Sequence, residues 1–386
     1  MSQPLRLERL RAGLDSRHLD GLLVSQPESR YYLSGYAGHD LPPRDSAGYL
    51  LITRDAAMLL TDPRTTEQAE RESPDFEVLT YTSGNRGPAM VAEQAAKLGL
   101  RRLGFESIHL PHAVWTELLA HVPASVELVP ERRLVDDLRV VKDAQELGQL
   151  QDAIDVLDRC LADVLARVEP GLTEKQVARM VELYLIEHAD GPSFPSIVAS
   201  GPNASVPHAV PSDRRVREGE LVKIDIGARA SGYVSDMTRT VCLGQPADAR
   251  LPEIYAIVLE AQEHCEKQVR PGMTGREADA MARDVIVRAG YGNDFLHGLG
   301  HGIGLEVHER PSLSQTRGDE VLQPGMVFSV EPGIYLPGWG GVRIEDLVVL
   351  EAEGARVLCQ SPKDLVHQPA SASAKSTPVG SVPSQH

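Results

Sequence analysis

A pattern of glycines and acids occurs twice in this chain, and few folds can satisfy both copies. In Gly219–Asp236 (GELVKIDIGARASGYVSD), Asp225 follows Gly219 by six residues, Gly227 follows it by eight, and Gly232 precedes Asp236 by four. Later, Gly325, Glu331 and Gly333 repeat the first spacing, and Gly341 and Glu345 repeat the second. The runs before the first acids are apolar and largely β-branched (Leu221, Val222, Ile224; Met326, Val327, Phe328, Val330) and read as buried strands. Any one of these acids reads most simply as a strand-flanking residue that faces water. Two matched pairs are different. Desolvating an ionised carboxylate costs several kcal/mol or more unless a cation or close partner compensates it, so the joint spacing favours a shared multivalent metal site.

The surrounding organisation is also duplicated. Leu150, Ile154, Leu157, Leu161, Val164, Leu165 and Val168 recur at helical spacing, so the spacing predicts a long amphipathic helix over Asp143–Val168. It ends at Pro170-Gly171, and Thr173 with Gln176 forms a capping box that opens a second helix through His188. A helix over Leu251–Val269, the turn Pro271-Gly272 and a second box, Thr274 with Glu277, repeat the arrangement, with the following helix ending at Gly290. Each half reads helix, turn, capped helix, irregular stretch and two acid-bearing strands. Such a repeat points to halves related by a pseudo-twofold axis, with the acids converging there.

Ahead of this lies a region of alternating strands and helices. Strands are predicted at Gly21–Ser25, Tyr31–Gly35, Tyr49–Ile52, Ala57–Leu60, Phe76–Tyr81, Arg102–Phe105 and Ser125–Val129, with helical patterns at Leu5–Leu14, Thr65–Glu72, Pro88–Leu98 and Pro111–His121. That alternation predicts an open, parallel or mixed sheet covered by helices. Neither GxGxxG nor GxxxxGK[ST] occurs there, so nucleotide binding has no support, and its histidines and acids read as surface groups. The 386 residues suit two domains. A net charge of −16 argues against nucleic acid or an anionic membrane as a partner. The N-terminal MSQPLRLERLRAG has no continuous apolar run, so a cytoplasmic protein is expected. Cys160, Cys242, Cys265 and Cys359 are scattered without CxxC and read as reduced thiols.

Histidines break the symmetry between the halves. The run from Phe295 to Glu309 carries His297, His301 and His308 among glycines 298, 300, 302 and 304, and the first half offers His208 after Pro207. A lone histidine such as His297 is more often a surface or satisfied core residue than a ligand. His301 is flanked by glycines on both sides in an apolar run, which lets the backbone come close and the ring reach inward. Imidazole beside carboxylates suits Mn, Fe, Co or Zn better than Mg or Ca. Four carboxylates plus one histidine match a two-metal hydrolase, in which ions roughly 3.5–4 Å apart hold a bridging hydroxide and polarise a carbonyl.

The ordered set KIDIG (Asp225), SDMTRT (Asp236), HGLGHGIG (His301), VEPGIY (Glu331) and VRIED (Glu345) resembles the pita-bread metallopeptidases. The segments VPHAV (His208) and LEVHE (His308), with an α/β domain ahead, are similar to the prolidase and Xaa-Pro aminopeptidase branch rather than to methionine aminopeptidases. The resemblance implies an α+β protein: an N-terminal α/β creatinase/prolidase-like domain over 1–138 and a pseudo-twofold pita-bread catalytic domain over 139–362; composition, Ser/Pro/Ala-rich with almost no apolar residues, adds a flexible tail over 363–386. The resemblance also implies that Asp225 ligates one ion through both oxygens, that Asp236 and Glu345 bridge two ions, and that His301 and Glu331 complete the other, with Glu331 also acting on the bridging water. His208 and His308 would face the scissile carbonyl and stabilise the intermediate. His297 and Arg343 would line the proline side. The implied activity is that of an Xaa-Pro metallopeptidase, acting on peptides with proline at the second position. Two divalent ions are implied, manganese above all with cobalt or zinc accepted, as is a homodimer. Two other readings remain open: a methionine aminopeptidase-like or other dinuclear hydrolase, and a non-catalytic or metal-independent, creatinase-like protein.

Overall fold

The structure is a computed structural model that describes residues 2–40, 46–82, 84 and 86–367; the expected tail lies outside the described residues from 368 on. The chain forms two compact units, Met1–Arg139 and Val140–His386. In the first, strands β1 (Gly21–Val24), β2 (Tyr49–Thr53), β3 (Ala57–Thr61), β4 (Glu77–Thr80), β5 (Arg102–Glu106) and β6 (Glu127–Glu131) form one sheet in the order β4-β3-β2-β1-β5-β6. The β1–β2 and β2–β3 pairs are antiparallel, and the β3–β4, β1–β5 and β5–β6 pairs are parallel. The sheet is therefore mixed.

Two expectations for this unit need correction. Tyr31–Gly35 is not a strand: Pro27–Ser34 is a helix, with Pro27 in its first turn and Gly35 ending it at φ 80°. A helix-starting proline and a left-handed glycine cap outweigh the β preference of two tyrosines. Nor is Glu106 a free surface acid. Its carboxylate accepts the backbone N–H groups of Ser25 (2.6 Å) and Gln26 (2.7 Å), the two residues between β1 and that helix.

The second unit repeats itself. Helices Ala144–Arg167 and Glu174–His188 in one half correspond to Arg250–Gln268 and Gly275–Arg288 in the other, and the predicted capping boxes at Thr173 and Thr274 are both formed. Gly171 and Gly272 turn the chain at φ 102° and 90°, and their N–H groups donate to Val216 O and Leu322 O, each at 2.9 Å. Strand Leu221–Ile226 lies between Ile197–Ser200 and Met237–Leu243, with Asp225 opposite Thr238. Its counterpart Val327–Val330 lies between Gly300–Gly302 and Asp346–Glu351. Each sheet packs its apolar face on its own helix pair: Val222, Ile224 and Val241 meet Leu157, Val177 and Val181, while Phe328, Val330 and Val348 meet Val258, Ala282 and Ile286. The halves are tied where the acids sit, since Glu345 N donates to Thr238 O at 3.0 Å. No helix among the described residues is long and apolar enough to cross a membrane.

Candidate metal centre

Asp225 lies inside its strand, whereas the other three acids sit at strand ends. Asp236 immediately precedes Met237–Leu243, Glu331 immediately follows Val327–Val330, and Glu345 immediately precedes Asp346–Glu351. His301 is the middle residue of the short strand Gly300–Gly302. A Cβ at Gly300 would overlap Ser329 O, and one at Gly302 would overlap Arg310 O, so only glycine lets this strand approach its neighbours and bring the imidazole inward. His301 Nδ1 donates to Gly302 O at 3.1 Å, which leaves Nε2 facing Glu331 Oε1 (3.2 Å) and Asp236 Oδ2 (3.7 Å). Asp236, His301 and Glu345 each offer a ligand atom within 4.8 Å of the others.

The cluster is too negative for the chain alone. Among the described residues, the groups at ion-pair distance from these four acids are the Arg343 guanidinium and the His301 imidazole. Even with His301 protonated, two negative charges lack a counterpart. Burial and the adjacent Glu345 carboxyl push Asp236 well above the usual carboxylate range. Burial, reinforced by Glu331 and Asp225, takes Glu345 to about 8. Burial also raises Asp225 despite its contact with Arg343. Burial opposes charge on His301 as well, yet its bond to Glu331 and the nearby acids outweigh that and lift it to about 9. Among the described residues, Asp236 Oδ1 and Glu345 Oε1 are buried without a hydrogen-bond partner. Buried carboxylate oxygens lacking a donor are expensive. A divalent cation is the group that such oxygens, with the His301 Nε2 turned toward the same acids, are fitted to receive.

All nine residues singled out in the sequence line one cavity of about 770 Å³. His208 and His308 are exposed on its open side, with the His308 ring 4.2 Å from that of His301. His297 is half-buried: Nδ1 donates to Gly298 O at 2.8 Å, so Nε2 is the acceptor for the Tyr335 hydroxyl at 2.9 Å. Burial accordingly lowers its pKa. Arg343 turns onto the acids. Its Nη2 bonds Asp225 Oδ2, its Nη1 donates to Tyr335 Oη at 2.9 Å, and its Nε donates to Thr238 Oγ1 at 2.9 Å. Arg343 and Glu345 do not share an unbroken strand, because Gly340–Arg343 ends before Ile344 and a new ladder begins at Asp346. They meet instead through Thr238, whose hydroxyl also donates to Glu345 Oε2 at 2.7 Å.

Thr238 and Tyr335 were not among the residues singled out, although a signal was present. Thr238 stands two residues after Asp236, a spacing that puts side chains on one face of a strand, and Tyr335 closes the same VEPGIY motif as Glu331. Apolar groups complete the cavity wall, including Phe194, Pro195, Pro207, Val210, Pro211 and Val307.

Comparison with known proteins places the chain in a family. Residues 148–352 match the profile of metallopeptidase family M24, and residues 6–141 match that of the creatinase/prolidase N-terminal domain. The uncharacterized peptidase YqhT of Bacillus subtilis is 41% identical over 363 residues, covering 94% of this chain and 99% of that protein. The Xaa-Pro dipeptidase of Pyrococcus horikoshii is 36% identical over 354 residues, covering 92% of this chain and 96% of its own. Among solved structures, an Xaa-Pro dipeptidase from Bacillus anthracis superposes with a TM-score of 0.89 at 39% identity, covering 95% of this chain and 99% of that one. An X-Pro aminopeptidase from Thermotoga maritima gives 0.84 at 34% identity, covering 94% and 99%. The chain belongs to metallopeptidase family M24, with a creatinase/prolidase N-terminal domain ahead of its M24 region.

Proposed function

We propose that this protein is a metal-dependent exopeptidase that hydrolyses the bond between an N-terminal residue and a following proline. The observation that carries the reading is the convergence of four carboxylates and His301 at one cavity, two of the carboxylate oxygens being buried without a partner. Relatives named Xaa-Pro dipeptidase and X-Pro aminopeptidase support the substrate class. Asp225, Asp236, His301, Glu331 and Glu345 would hold two divalent ions. Manganese is proposed, with cobalt or zinc as substitutes. Such a pair supplies Lewis acidity toward a carbonyl and a water acidic enough to ionise near neutral pH.

The chain's own groups do the rest. Glu331 takes the proton of the attacking water and passes it to the proline nitrogen as the bond breaks. His208 and His308, exposed on the open side, donate to the carbonyl oxygen as charge gathers on it. His297 has both ring nitrogens engaged, so it serves as a neutral wall on the proline side. The bond before proline has a tertiary nitrogen, and this wall demands no N–H from it. Were Asp225 to serve a cation, Arg343 Nη2 would be available to a carbonyl or carboxylate beyond the proline, with Nη1 and Nε still on Tyr335 and Thr238.

Matched Xaa-Pro and Xaa-Ala substrates, as dipeptides and as tripeptides, test the reading on the manganese-loaded protein. Cleavage confined to the proline series is expected, and equal cleavage of both series would overturn it. Elemental analysis should find two ions per chain, and chelation should abolish hydrolysis until manganese or cobalt is returned. A homodimer in the cytoplasm completes the proposal, tested by light scattering and cell fractionation.

A further inference from the structure

We propose that Lys223 is a positioning residue for His208, acting through the backbone of residues 204–207. Lys223 stands two residues before Asp225 on Leu221–Ile226, so the two side chains share a face of the strand. It is fully buried, and among the described residues its ammonium makes no ion pair. Its Nζ donates instead to Val206 O (2.8 Å), Pro207 O (3.1 Å) and Ala204 O (3.2 Å). That uses all three donors of a lysine on one short stretch of main chain. The Pro207 carbonyl belongs to the peptide plane that carries the His208 nitrogen, so holding it orients the His208 backbone. Arg343 Nη1 approaches the same carbonyl at 3.4 Å.

A second anchor of opposite charge holds the feet of this strap. The Glu174 carboxylate, also fully buried, accepts from Ser200 N (2.7 Å) and Ser200 Oγ (2.9 Å) on one side and from Ser212 N (3.0 Å) and Ser212 Oγ (2.6 Å) on the other. Between the feet, Ala204 is buried in the core and Ala209 packs against it, whereas Val206 and Val210 are 53% and 85% exposed and His208 is exposed too, so apolar packing holds the strap at two small side chains only. Burying a cation is costly, and an apolar side chain would fill the same core space without that cost. Spending an ammonium on three main-chain carbonyls beside the cavity makes sense when the placement of that strap matters to the reaction.

The inference rests on the proposed role of His208, and a double-mutant cycle separates the two. Lys223→Met keeps length and removes the donors; in the manganese-loaded protein it should lower kcat on an Xaa-Pro substrate on the order of 10²-fold, the scale of an ångström misplacement. KM and metal content should change little. In a His208→Ala background the same substitution should cost less than about threefold, because the group it places is gone. Amide hydrogen exchange of the metal-free protein should quicken within 204–212 and not elsewhere. Equal kcat losses in both backgrounds, or unchanged exchange in 204–212, would overturn the inference. If His208→Ala alone left kcat intact, the reading of His208 would fail, and a loss from Lys223→Met would then refute positioning through it. Should Lys223→Met not fold, Lys223→Gln, which retains two donors on a shorter arm, should show the same background dependence with a smaller loss.

Discussion

Thr238→Val replaces a hydroxyl by a methyl of nearly the same shape at a point where two charged groups meet. Thr238 is fully buried, and Arg343 and Glu345 are 3% and 2% exposed. The hydroxyl donates to Glu345 Oε2 at 2.7 Å and accepts from Arg343 Nε at 2.9 Å. Glu345 Oε1 already lacks a partner among the described residues, so the variant leaves that side chain without a donor. Arg343 Nε retains only a 4.0 Å approach to Glu331 Oε2. Each lost bond to a charged group is worth about 1.5–3 kcal/mol, and the added methyl returns about 1, for a net loss of about 3 kcal/mol. In a unit of this size that corresponds to a fall in Tm of about 6–12 °C, measured by calorimetry on the chelated protein at a pH above about 8, where Glu345 is ionised. Removing the group that orients Glu345 should also weaken metal binding about 10–100-fold, measured by competition with a chelator. A Tm within about 2 °C of wild type together with unchanged metal affinity would refute the assignment of Thr238 as the brace between Arg343 and Glu345.

Other expectations follow from the same geometry. Asp236→Ala and Glu345→Ala should each lose metal and turnover together, whereas His308→Ala should keep its metal and lose about 10²–10³ in kcat, the scale of one oxyanion donor; elemental analysis beside kinetics decides, and a metal-free His308 variant would contradict that division. Arg343→Lys, which keeps the charge and loses the planar fork, should chiefly raise KM, and an unchanged KM would leave Arg343 as a neutraliser of Asp225. Away from the cavity, burial, only partly offset by Lys363, lifts Glu266 from 4.5 to about 7. Its ionised form is thus disfavoured in the fold, so its contribution to stability is complete below about pH 4.5 and is lost as pH rises through 7. Glu266→Gln should flatten that part of the Tm–pH curve, and parallel curves for variant and wild type would show that burial does not govern this group.

Much of this protein was legible in its residues because the interactions concerned are local or repeated. A capping box spans four consecutive positions, so Thr173 with Gln176 and Thr274 with Glu277 could be read directly, and both formed. The doubled acid spacing likewise marked a duplicated, acid-lined centre, because only a chain of matched halves repeats such a pattern around buried strands. Local signals competed at Tyr31–Gly35, where a proline eight positions before a glycine outweighed two strand-favouring tyrosines and made a helix. Partner choice at the centre was of another kind. Arg343 bonds Asp225 across 118 positions and Thr238 across 105, and Lys223 reaches back 16 to 19 positions to a strap with no periodic signature. Spacing states which face of a strand a side chain occupies, but which charge it meets there depends on how the two halves close on one another, and that is decided only when the sheets pack.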